Sequence, residues 1–312
     1  MSAVVFHANG IGDDLINRPA LAAIAEAFDG QATLVTSARE RGSFLLDDLP
    51  FRKIVRIPIN DGHFDPYGVL PHLTEPTHTF ISLAPYFSDD LAALRRACHA
   101  ERSIGFGEDY DIPLDMLAPK HAVELAFDGA RAVTGLASSR PSRPVLVFGA
   151  ETIANVNRFV QRIRASKTPY MLCVHSETFH NKQLAPDVIA QVLCRFLAAH
   201  EDFVAVFLDV SRFGGSCACH ADRVVSVDDM TLPFAMALLG HADLFFGIDS
   251  CMQHAADYQN VPGVVAFGSF TSPGKFGYFW SPSRFVKFTS PHDVHVVQDA
   301  LDGLHDFTGK QA

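Results

Sequence analysis

A chain of 312 residues, 48% hydrophobic and 19% charged, has ample material for buried cores and lacks the bias of a disordered polymer. Its formal net charge of -10 disfavours duplex nucleic acid or an anionic membrane surface as partner, while leaving room for a small anion held by local cations. No apolar run approaches the ~20 residues that span a bilayer, and the opening Ser2-Ala3-Val4-Val5-Phe6 leads into a strand rather than a leader, so a cytoplasmic protein without a transmembrane segment is expected.

In chain order, Ala3 to His7 reads as a short apolar strand. Asn9-Gly10-Ile11-Gly12-Asp13-Asp14 reads as a tight turn whose glycines allow positive φ and close approach of a ligand, with a helix from Leu15 to Phe28 after it. Pro19 marks either a kink or the true first turn of that helix. Strands are expected at Ala32 to Thr36, Arg52 to Ile57, Thr79 to Leu83 and Arg102 to Phe106, the Val/Ile content being that of a buried parallel sheet. Ser37 is placed to cap a helix to about Leu46, Ser88-Asp89-Asp90 starts another to His99, and His121 to Thr134 is a third. Asn60 to Thr77 reads as a long loop.

Ser138 to Pro144 (SSRPSRP) cannot contribute a core segment and reads as a linker. The alternation then restarts, with a helix from Glu151 to Arg164 and strands at Tyr170 to His175, Phe203 to Leu208, Arg223 to Val227, Leu244 to Gly247, Gly263 to Phe267 and Arg284 to Phe288. Helices lie between them from Pro186 to Ala199, Leu232 to Leu239 and Ser250 to Tyr258, with Asp293 to Leu304 closing the chain. Strands alternating with helices in two halves predict an α/β protein of two Rossmann-like domains facing across a cleft. The boundaries expected are 1–140, 145–290, and a C-terminal helix and tail over 291–312.

The stretch from Gly247 to Lys275, GIDSCMQHAADYQNVPGVVAFGSFTSPGK, is the densest candidate for chemistry. Asp249 and Ser250 follow a buried strand where side-chain oxygens cap a helix, and Gly268 to Gly274 is rich in small and hydroxyl residues. Two loops of exposed amides and hydroxyls at the carboxyl ends of adjacent strands suit a phosphate group. His254 lies one helical turn beyond Ser250, so the two share a face. Phe276-Gly277-Tyr278-Phe279-Trp280 reads chiefly as core packing under the last strand. Cys217-Ala218-Cys219-His220 has a spacing that fits neither zinc nor thioredoxin-like motifs and reads as a loop with free thiols, so no metal site is expected. The opening glycines form only G-x-G, and Thr36-Ser37-Ala38-Arg39 offers no ribose-binding acid, which argues against a nicotinamide-dependent oxidoreductase.

Gly12-Asp13 with Pro19-Ala20-Leu21 resembles the opening of the ADP-heptose:lipopolysaccharide heptosyltransferases, glycosyltransferase family 9. Asp249-Ser250-x-x-x-His254, with Val261-Pro262, Phe267-Gly268 and Thr271-x-Pro273, is similar to that family's donor-binding signature, and the strand-loop-Lys182 segment resembles its third element. The resemblance implies a GT-B fold and an inverting, metal-independent glycosyltransferase that needs no cofactor. Its donor would be ADP-heptose or another nucleotide-sugar, held by the second domain; a hydroxyl acceptor (saccharide, small natural product or protein) would sit on the first.

By position, Asp13 would be the general base, with Asp14 its neighbouring rival, and Lys182 would contact the donor phosphates or leaving group. Gly12, Asp209, Asp249, Ser250, His254, Gly268 and Thr271 would surround the donor, Asp209 facing the ribose. Asp13 or Asp14 equally suits a helix cap. The pattern departs from the family where Cys251 stands in place of glycine and where the loop reads Gly268-Ser269-Phe270-Thr271 rather than Gly-Pro-Thr. Cys251 is the feature that favours the alternative, a catalytically inert nucleotide-sugar-binding or scaffold protein.

Overall fold

The computed structural model describes residues 2–39, 41–60, 63–73, 76–86, 88–135, 139–165, 170–178, 182–209, 218–227 and 230–309. The chain forms two compact units, residues 1–144 and 145–312. The proline-rich SSRPSRP stretch ends at this division, as expected of a segment with nothing to bury.

In unit 1, six strands form one parallel sheet: β1 (Ala3–Phe6), β2 (Ala32–Ser37), β3 (Lys53–Ile57), β4 (Thr79–Ser82), β5 (Arg102–Phe106) and β6 (Ile112–Leu114), in the order β3-β2-β1-β4-β5-β6. Helices α1 (Ile11–Ala27), α2 (Phe44–Asp47), α3 (Pro66–Val69), α4 (Asp89–Ala97) and α5 (Ala122–Thr134) join them. On one face, Leu21 and Ile24 of α1 and Phe127 of α5 pack on Val5, Leu34 and Ile81. On the other, Leu91 and Leu94 of α4 pack on Phe6, Val35 and Phe80. Burial on both faces is why central β1 (AVVF) is an unbroken apolar run, while the outer strand β3 (KIVRI) exposes Lys53 and Arg56.

Unit 2 repeats the scheme with β7 (Tyr170–His175), β8 (Phe203–Phe207), β9 (Val224–Ser226), β10 (Leu244–Ile248), β11 (Gly263–Phe267) and β12 (Ser283–Lys287) in the order β12-β11-β10-β7-β8-β9. Its helices are α6 (Ala150–Arg164), α7 (Pro186–Ala199), α8 (Leu232–Leu239), α9 (Cys251–Tyr258), α10 (Pro273–Phe276) and α11 (His295–Thr308). Val188 and Phe196 of α7 and Leu301 and Leu304 of α11 cover Leu172, Phe207, Phe246 and Val264. The closing helix α11 packs into the core of unit 2. Counted within each unit, both sheets have the same Rossmann order. The chain reverses direction across the sheet between β1 and β4 in unit 1 and between β7 and β10 in unit 2. Ligands of open α/β sheets bind outside the strand ends at such points.

Several elements differ from the sequence expectation. Gly10 is the N-cap of α1, with φ -68 and ψ 166, so Ile11 to Asp14 are its first turn rather than a loop. Neither Gly10 nor Gly12 has positive φ. Asp13 starts the helix early: at the third helical position, its Oδ2 accepts the Gly10 amide at 3.0 Å, as in half of a capping box. Pro19 lies well inside α1. The helix expected from Ser37 is a single turn, α2, because β2 runs on through Ser37. The long loop after β3 contains α3, whose N-cap Asp65 accepts from the Tyr67 amide at 3.0 Å. No expectation covered β6, a three-residue strand.

Candidate functional site

At the switch point of unit 2, Asp249 follows β10 directly and organises the residues around it. Lys182 Nζ lies 2.8 Å from its Oδ2, Thr271 Oγ1 donates to the same oxygen at 2.6 Å, and Gln253 Nε2 donates to Oδ1 at 2.9 Å. Thr178 Oγ1, beyond β7, donates to the Asp249 carbonyl at 3.3 Å. Asp249 and Gln253 are buried, while Lys182 keeps about a quarter of its side chain exposed. The structure thus brings Lys182, Asp249 and Thr271 together from three separate loops, the β7, β10 and β11 connections. Ser250 is the N-cap of α9, its Oγ accepting the Met252 amide at 3.3 Å. His254 is buried one turn later, Cys251 is half-buried, and Gly268 is buried at the end of β11 with Phe270 exposed beyond it.

Asp209 follows β8 and is also buried. Its Oδ1 accepts the Ser176 amide at 2.8 Å and lies 2.8 Å from His175 Nδ1, and its Oδ2 accepts from the Ser176 hydroxyl. Burial would raise this carboxyl, but the contacts of His175 and Ser176 outweigh it and hold it below its ordinary value. In this structure Asp209 fixes the start of the loop that carries Lys182.

Unit 1 has a related arrangement at its own switch point. His7, directly after β1, sits between Asp14 Oδ1 (2.9 Å from Nε2) and Asn17 Nδ2 (3.1 Å from Nδ1), all three buried. His7 and His175 thus end the equivalent first strands of the two units, each against a buried carboxylate. Asp13 stands beside this group. Burial raises its carboxyl above the ordinary value; the Gly10 amide, His7 and Arg39 work against the rise, and Asp14 adds to it. Gly12 lies within the first turn of α1 beside Asp13. Tyr86, beyond β4, donates its hydroxyl to the Ala8 carbonyl at 2.8 Å and is raised by burial. Both amide atoms of the Asn9 side chain are buried and lack a hydrogen-bond partner. Such groups are costly unless a ligand or water meets them.

Two minor expectations resolve at this level. The aromatic stretch after α10 is packing: Asp257 accepts the Phe279, Trp280 and Ser281 amides at 2.7 to 3.1 Å, and Trp280 meets Tyr258 edge-on at 4.9 Å. Cys217 and the Cys219 side chain lie outside the described residues, and His220 Nδ1 is 3.0 Å from Arg223 Nη2. Among the described residues, no three His, Cys, Asp or Glu side chains are gathered to hold a metal ion, and no helix is long and apolar enough to cross a membrane.

Sequence reasoning singled out Asp13, Lys182, Asp249 and Thr271 but missed His7, Asn17, Tyr86, Ser176 and Gln253. A polar residue closing a buried strand, as His7 and His175 do, was the available signal.

No family model matches the chain, and no curated protein matches it in sequence. Solved structures do match over its whole length. A glycosyl transferase family 9 structure from Veillonella parvula superposes with TM-score 0.76 at 14% identity, covering 99% of this chain and 97% of that one. ADP-heptose lps heptosyltransferase II of E. coli gives 0.73 at 17% identity, with complete coverage of both chains. E. coli heptosyltransferase WaaC with ADP gives 0.66 at 15%, again with complete coverage of both. The two Rossmann sheets and their connections therefore give this chain the α/β fold of the glycosyltransferase family 9 heptosyltransferase structures.

Proposed function

We propose that the chain is a glycosyltransferase. It moves a sugar from a nucleotide-activated donor, ADP-heptose or another nucleoside-diphosphate sugar, to a hydroxyl acceptor, with inversion and without a metal ion. The reading rests on one observation above all. Lys182, Asp249 and Thr271 converge at the switch point of unit 2, where open α/β sheets take their ligands. The superposed structures supply the fold, and two of them are named for ADP-heptose or ADP.

On this reading, unit 2 takes the donor. Its leaving diphosphate gathers negative charge as the glycosidic bond breaks, and a lysine with fixed hydroxyl and amide donors stabilises that charge. Ser250 opens α9 and presents that helix end to the phosphates, and Gly268 lets the β11 loop pass close by. His254 contacts the donor from the next turn, and Asp209 lies on the ribose side. Unit 1 takes the acceptor. Asp13 accepts the proton of the attacking hydroxyl, and its elevated carboxyl is a better base than an exposed aspartate.

The test combines turnover and binding. D13N is expected to lower kcat by about 10²-fold or more while ADP binding stays unchanged. K182Q is expected to weaken ADP binding roughly tenfold, the effect of losing one charge-assisted contact. Full turnover in D13N removes Asp13 from its role. ADP binding without turnover in the native chain would instead favour an inert nucleotide-sugar-binding protein, the reading that Cys251 suggests.

A further inference from the structure

Two adjacent carboxylates lie in the first turn of α1, and the structure gives them opposite surroundings. Asp13 is half-buried, with Oδ2 on the Gly10 amide at 3.0 Å. Asp14 is buried, with Oδ1 2.9 Å from His7 Nε2, and the Asn17 carboxamide meets His7 Nδ1 at 3.1 Å. We propose that His7 and Asn17 are positioning residues for sugar transfer: they hold Asp14 as a fixed charge behind Asp13 and leave Asp13 as the carboxylate that meets the acceptor. The proposal rests on the transferase reading for the task of Asp13, but not for the separation of the two carboxylates.

Packing alone does not call for this trio. Taking a carboxylate out of water is costly, and apolar side chains of similar volume would fill the end of the sheet at least as well. The chain instead closes β1 with a fully buried imidazole and gripes none of its nitrogens to solvent: both ring nitrogens meet α1. Asp14 and Asn17 are three residues apart on that helix, so they share the face that His7 meets. Held at both nitrogens, the ring has one orientation, and the Asp14 side chain bonded to it is kept inside the unit.

The charges around Asp13 give this arrangement a chemical effect. Burial raises the Asp13 carboxyl; the Gly10 amide, His7 and Arg39 oppose the rise, and Asp14 adds to it. Tyr86, beyond β4, also faces Asp13, and its hydroxyl donates to the Ala8 carbonyl. Arg39 Nη2 stands 3.7 Å from Asp14 Oδ1, and Arg41 and Arg56 share a solvent-open pocket with both. Arg18, one turn along α1, pairs with Asp48. In the transfer, the acceptor's proton passes to Asp13 as its oxygen bonds to the anomeric carbon, and the electron pair of the broken bond leaves with the diphosphate. Asp14 exchanges no proton. It acts through the base strength of Asp13, and His7 acts by fixing where that charge sits.

The acidic limb of the kcat–pH profile, where Asp13 loses its proton, tests the proposal. D14N keeps the side-chain shape and removes the charge that raises Asp13, so its limb is expected at lower pH than the native one. Its kcat plateau is expected to fall by roughly threefold to tenfold with KM unchanged, a weaker base being a slower one. H7Q keeps a donor for Asp14 and removes the imidazole that opposes the rise, so its limb is expected at higher pH. A merely structural role does not move the two limbs in opposite directions. D13N/D14N is expected to be no slower than D13N, because Asp14 then has nothing to act through. Identical limbs in the native chain, D14N and H7Q overturn the proposal and leave the transferase reading intact. So does a limb that D14N abolishes and D13N keeps, which would make Asp14 the base. The carboxyl carbon resonance of Asp13, titrated by NMR in the full chain, reads the same shifts without turnover. If the native chain transfers nothing, the transferase reading falls; a lower Asp13 midpoint in D14N still upholds the separation of the carboxylates, and an unmoved one overturns it.

Discussion

At the scale of single residues, Asp13 does two jobs whose demands conflict. Its carboxylate caps α1 through the Gly10 amide, and its burial raises the carboxyl above the ordinary 3.8. The folded state therefore binds this proton more tightly than the unfolded state. Stability falls as pH rises from the ordinary value through the raised one, and above that window the full destabilisation persists. D13N keeps an acceptor for the Gly10 amide and removes the buried charge. Its urea midpoint at pH 7 is expected to exceed that of the native chain, with the difference vanishing below the ordinary carboxylate range, while turnover is lost. A midpoint lower at pH 7 than the native one would show that the charge stabilises the fold. Asp13 was legible in the sequence as a carboxylate in a glycine-framed segment, but its capping geometry left cap and base as equal alternatives. Lys182 and Asp249 were both legible as candidates. Their contact was not, because no local pattern specifies which side chains meet across two strand ends.

At the scale of elements, the strands were the most legible because burial on both faces requires continuous apolar runs, and β7, α7, α8 and β11 were found at their observed bounds. The misses have local causes. Ile112-Pro113-Leu114 is too short to carry a pattern, and Gly10-Ile11-Gly12 looked like a turn because helix propensity was weighed without the cap that Asp13 supplies. Helix α9 is only eight residues long and starts directly after Asp249, so its first turn depends heavily on Ser250. S250A is expected to cost about 1 kcal/mol in urea unfolding, whereas S250D, which keeps a capping oxygen, costs less. If S250A and S250D unfold alike, the hydroxyl at that position contributes nothing to the helix start.

At the scale of the whole molecule, two units with separate cores and the same strand order make up the chain. Each has the size and internal burial of an independently folding domain. Residues 145–312 expressed alone are expected to fold cooperatively and to bind ADP with an affinity like that of the full chain, and to transfer nothing. Loss of ADP binding in that piece would mean that residues of 1–144 are needed to hold the donor. The chain divides into its two units after SSRPSRP, and the repeated alternation implied two sheets. That both sheets have one winding order was not legible, since strand neighbours follow from long-range pairing.

Lys182, in the loop after β7, is already engaged by Asp249, directly after β10. A diphosphate approaching this amine competes with a resident carboxylate rather than meeting a bare charge. Occupancy is then an exchange of counterions, and the strength of binding measures how far the newcomer outdoes the partner it displaces.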